Sequence, residues 1–134
     1  MKTLSKLKKD LDKWFSLYIR LRYADENGYT ECYTCGKIDH YKKMQCGHFL
    51  SRRYHTTRWN TTNCQVQCVK CNMYEQGEQY KFGTKLSMEF GVEEVEYLTN
   101  LANSTMKRTR GEYKEDISYY QNLVKNLKKT KDID

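Results

Sequence analysis

Leu4, Leu7, Leu11, Trp14, Phe15, Tyr18 and Leu21 recur every three or four residues over the first two dozen positions. That period gathers them on one face of a helix and leaves the intervening lysines on the other. The lysines read as solvated charge on a packed helix, with contact to phosphate as a further use. The Asn-Gly pair of "DENGY" (Asp25–Tyr29) predicts a turn, with a short strand following through Thr30 and Glu31 into Cys32. From Cys32 to Cys71 there is no sustained helical period, and short strands, turns and a loop fit instead. Helical spacing returns after Asn72, through Tyr80 and Leu86 to Phe90, with Gly91 as its stop. A shorter helix follows through Val95, Leu98 and Leu101. The last helix carries Ile117, Tyr120, Leu123, Val124 and Leu127, and "KNLKKTKDID" reads as a frayed, charged tail. No repeat and no proline-rich linker divides the chain. The pattern predicts one domain over 1–134: an entry helix (1–25), a core (30–91) and C-terminal helices (92–134).

The length of 134 residues suits that single domain. No stretch approaches the roughly 18 apolar residues that a membrane span requires. The basic N-terminus is interrupted by lysines and aspartates and lacks the apolar centre of a signal peptide, which predicts a cytoplasmic protein with no membrane partner. The net charge of +7 changes the picture because it is uneven. Residues 32–72 hold seven cations and one anion, whereas residues 73–100 hold two cations and six anions. The middle of the chain is therefore the electropositive part, and such a surface attracts polyanions, DNA among them.

That same segment carries the cysteines. "CYTC" (Cys32, Cys35) and "CVKC" (Cys68, Cys71) are separated by 32 residues. Each C-x-x-C presents two thiolates from one tight turn, and two such turns complete a sulfur tetrahedron around structural zinc. Gly36, directly after Cys35, permits the positive φ that such a turn needs. A redox dithiol is the competing reading, but it requires only one pair. Cys46 and Cys64 remain over as small buried side chains. A second metal site on Cys46 and His48 lacks any further ligand nearby in the sequence.

The order Cys32-x-x-Cys35, His48, Asn63, Cys68-x-x-Cys71-Asn72 resembles the HNH, or ββα-metal, nucleases. The version it resembles has a zinc site clamping the catalytic hairpin and helix. Endonuclease-VII-type junction resolvases look similar, with asparagine directly after the last zinc cysteine. The stretches "CYTCGK", "QCGHFLSRR", "NCQVQCVKCN", "YEQGEQYKFGTKL" and the leading "KWFSLYIRLRYAD" are together similar to the NinG/Rap recombination nucleases of lambdoid phages, over roughly residues 12–91. The resemblance implies an α+β fold in which a zinc-clamped ββα-metal core is flanked by N- and C-terminal helices. It implies a metal-dependent endonuclease acting on branched DNA such as Holliday junctions, working as a homodimer in the bacterial host's cytoplasm.

Carried onto this chain, the resemblance makes His48, Asn63 and Asn72 the catalytic residues. A neutral histidine titrates near working pH and can take a proton from water, so His48 is the general base. Asn72, at a helix start, offers a hard amide oxygen to catalytic Mg²⁺ or Mn²⁺. Asn63 orients His48 through the loop backbone or the ring. Arg52, Arg53 and Arg58 grip flanking phosphates with their planar forks. Plainer roles stand beside these: His48 as a zinc ligand or structural group, Asn72 as a helix cap, and the arginines as solvated charge. His40 and His55 read as surface histidines. One position departs from the family pattern. Many HNH enzymes carry a metal-binding aspartate before the base, where this chain has Gly47; Glu78 or His55 are the candidates to replace it. That gap favours the alternative of a non-catalytic zinc-knuckle module that binds DNA or accessory proteins.

Overall fold

The computed structural model describes residues 1–134 as a mixed α+β fold in which helices flank two small sheets. Helix α1 (Leu4–Leu21) starts where the Thr3 hydroxyl accepts from the Lys6 N–H, a side-chain cap. Its apolar face inserts Leu7, Leu11, Phe15 and Ile19 into a core shared with Trp59, Cys64 and Tyr113. Each such burial contributes about 1.5–3 kcal/mol. Most helical stability in proteins comes from packing of an amphipathic face, so packing is what fixes α1. Helix α5 (Arg110–Lys131) packs along α1 as well, with Phe15 edge-on to Tyr120 and Leu21 beside Val124. Thus α1 lies against both α5 and the strands.

The first hairpin pairs β1 (Tyr29–Glu31) with β2 (Ile38–His40), antiparallel. The second pairs β3 (Gln45–His48) with β4 (Cys64–Gln67), matching Gln45 with Gln67 and His48 with Cys64. Between those strands runs a loop holding one helical turn, α2 (His55–Arg58). After β4 come helix α3 (Gln79–Phe90), which ends at Gly91 as its sequence predicts, and α4 (Val92–Ala102). No helix is long and apolar enough to cross a membrane.

Two expectations need correction. Asn72 does not open a helix: it sits within a wide π-type turn, Lys70–Tyr74, and α3 begins only at Gln79. The Glu75 N–H reaches back five residues to the Lys70 carbonyl, and the turn ends in positive φ at Gln76, Gly77 and Glu78. Nor is the C-terminal stretch frayed, because α5 continues to Lys131 with its Leu127 packed near Tyr41 and Val124.

Candidate active site and metal centre

Four sulfurs meet where the two hairpins join. Cys32 and Cys35 come from the turn between β1 and β2, Cys68 and Cys71 from the turn after β4, and their sulfurs lie within 4.8 Å of one another. Gly36 adopts φ +80, the left-handed conformation this turn needs. The cluster shares a small core with Met44 and Val66, and the Tyr33 N–H donates to the Val66 carbonyl at 2.8 Å. Burial opposes ionisation of Cys32, but hydrogen bonds from the Cys68 backbone, the Thr34 hydroxyl and the Cys35 and Thr34 backbone outweigh it and bring the thiol to about 6. Burial raises Cys71 to about 12. This donor set fits a zinc ion, closed by four sulfurs and without an open position.

His48 ends β3 at the far end of the hairpin from this cluster: it pairs with Cys64, whereas Gln67, next to Cys68, pairs with Gln45. Its Nε2 lies 2.9 Å from the Arg58 carbonyl, so Nε2 carries the proton and Nδ1 holds the lone pair. Burial lowers its pKa below the ordinary 6.5, and Arg52 and Arg58 add to that against the opposing Arg58 carbonyl and Asp12. The ring is therefore neutral at neutral pH.

Asn63 is fully buried and bonds the loop backbone, not the ring. Its Nδ2 donates to the carbonyls of Leu50 and Thr57, and its Oδ1 accepts the Leu50 N–H at 2.8 Å. These bonds tie both ends of the β3–β4 loop together, and with it the Arg58 carbonyl that holds His48.

A cavity of about 350 Å³ opens between α1 and β3, walled by Asp12, Ser16, Arg20, Gln45, Cys46, His48, Arg52 and Asn72 among others. His48 and Asn72 thus share one space. The Asn72 Nδ2 donates to Gln45 Oε1 at 2.7 Å, which leaves Oδ1 as the atom Asn72 can offer to a ligand.

The three arginines part company. Arg52 is exposed at the cavity mouth, 2.8 Å from Asp12. Arg53 is exposed and stacks on Tyr54. Arg58, expected to grip phosphate, is only 13% exposed and is held by both oxygens of Asp12 and the face of Trp59. Its guanidinium is already spent inside the fold. Asp12 also accepts the Trp59 indole N–H at 2.9 Å.

Neither Glu78 nor His55 lines the cavity. Glu78 lies next to Lys81, and His55 packs near Trp59. The carboxylate that does line it is Asp12 of α1, which sequence reading missed. Asp12, Ser16 and Arg20 recur every four residues, a polar ridge on a helix otherwise judged by its leucines.

The reason for Gly47 is equally local. A β-carbon there would collide with the side chain of Gln67, whose amide fills that space. Gln67 is fully buried; its Nε2 donates to the Thr34 hydroxyl and the Gly77 carbonyl, and its Oε1 has no hydrogen-bond partner. The amide therefore braces the first cysteine turn and the approach to α3 at once.

A family model described as Bacteriophage Lambda NinG protein matches residues 1–131 of this sequence. No curated protein and no solved structure matches it.

Proposed function

The chain belongs to the bacteriophage lambda NinG protein family, and from that premise and the cavity beside the cysteine cluster we propose a metal-dependent DNA endonuclease of HNH type. Its substrate is branched DNA such as a Holliday junction. The observation that carries this reading is a neutral, carbonyl-anchored His48 sharing a cavity with Asn72.

Phosphodiester hydrolysis needs a water relieved of its proton and positive charge on the phosphate as it is attacked. His48 Nδ1 takes the proton, and the Arg58 carbonyl accepts from Nε2–H and steadies the imidazolium that forms. Asn63 keeps that carbonyl in place through the loop. Arg52, at the mouth, exchanges Asp12 for a phosphate oxygen. Mg²⁺ or Mn²⁺, when bound, supplies Lewis acidity at the phosphate, with Asn72 Oδ1 as one ligand. The four cysteines hold a structural zinc that fixes the two hairpins together. Paired cuts across a junction call for two centres, hence a homodimer.

A non-catalytic DNA-binding module is the second reading, and the filled space at Gly47 favours it, because the position directly before His48 in the chain holds no carboxylate. One comparison separates the two. Purified protein is given a four-way junction or a linear duplex of matched sequence, with Mg²⁺, with Mn²⁺ or with EDTA. Metal-dependent cutting of the junction, lost in His48→Ala while the four-cysteine cluster keeps its zinc, is expected. Binding without cutting selects the second reading.

A further inference from the structure

The hairpin itself carries another set of soft ligands. Cys46 and His48 stand two residues apart on β3 and face the same side of the strand. Cys64 on β4 is the direct cross-strand partner of His48. The two sulfurs and a ring nitrogen of His48 all lie within 4.8 Å of one another. Antiparallel register thus supplies the third ligand that the sequence alone did not.

We propose that Cys46, His48 and Cys64 form a second metal site, taking Zn²⁺ and separate from the four-cysteine cluster. The donors are two sulfurs and an imidazole, which select zinc over Mg²⁺ or Mn²⁺. On binding, the two thiols release their protons to solvent, and two thiolates balance the charge of the ion. The Cys64 thiol, which donates to the Arg58 carbonyl at 3.4 Å, gives up that bond. The carbonyl keeps its bond to His48 Nε2, and a metal-binding histidine is commonly oriented through its other nitrogen in this way. The Asn63 amide lies 3.9 Å from the Cys64 sulfur and donates toward it. Arg20 shares the cavity wall with Cys46. Three protein ligands leave a fourth position, and Cys46 and His48 both line the cavity, which gives the ion its way in.

An imidazole whose lone pair is on zinc cannot accept a proton. Bound zinc therefore silences the general base, a consequence that rests on the endonuclease reading above. The metal site itself does not.

The test uses the full chain, reduced and stripped of metal, titrated with Co²⁺ as a spectroscopic probe and with Zn²⁺ for stoichiometry. Two equivalents per chain are expected, with the thiolate-to-cobalt band of the four-cysteine cluster filling first. Cys46→Ser, at a half-buried position, keeps the first equivalent and loses the second or weakens it by more than about 100-fold, beyond the cost of losing a mere supporting contact. Cys64→Ala repeats the comparison. Saturation of the unaltered chain at one equivalent, or two tight equivalents in Cys46→Ser, overturns the site. In the junction assay, excess Zn²⁺ should stop Mg²⁺-dependent cutting, and Cys46→Ser should need at least about tenfold more zinc relative to its own zinc-free rate. If no form of the protein cuts DNA, the endonuclease reading fails while the metal count still decides the site.

Discussion

The side-chain amide of Gln67 occupies the volume from which a side chain at Gly47 would grow. The two residues belong to opposite strands, so the space at one is set by the size of the other. Gly47→Ala should lower stability by about 1–3 kcal/mol, the usual cost of overpacking. Adding Gln67→Ala should make the double variant more stable than the sum of the single changes predicts. Chemical denaturation of the four forms checks this. Strict additivity would mean that Gln67 moves aside freely.

The neutral His48 makes a prediction about acid. Its pKa lies below 6.5 because burial disfavours the charged ring. A base works only when deprotonated, so cutting should fall as pH drops through a midpoint below 6.5 and stay level from there to neutrality. A rate profile at saturating metal measures it. A midpoint above 6.5 would place a different group, or a charged His48, in the role.

Asp12 ties Arg52, Arg58 and Trp59 to α1. Asp12→Asn removes the charge from hydrogen bonds of the kind that contribute roughly 1.5–3 kcal/mol each, so the melting temperature should fall. The same change frees positive charge at the cavity mouth. DNA binding at low salt should therefore tighten, with a steeper dependence on salt. Stability and affinity moving in opposite directions is the signature; weaker binding at retained fold would contradict it.

The parts of this molecule governed by near neighbours were readable in advance. Leu7, Leu11 and Phe15 announce α1 by spacing, the paired cysteines announce their cluster, and Gly91 ends α3 where it should. What escaped depends on contacts between distant segments. Nothing local marks Asp12 as the partner of Arg58, 46 residues on. The meeting of Cys46 with Cys64 is a matter of strand register, and register is decided by what the whole hairpin buries. Asn72 was misplaced because a π-type turn and three positive-φ residues postpone the helix to Gln79.

The packing of α1 against α5 carries one more consequence, in the order of assembly. Every cysteine, His48 and Asn72 lie within the first 72 residues, yet the wall that completes their cavity is α1, and α1 is held in place by Tyr113, Tyr120 and Val124. During synthesis those residues emerge after all six cysteines. The cysteine turns are in a position to gather their ion early, while the cavity closes only when α5 folds back onto α1.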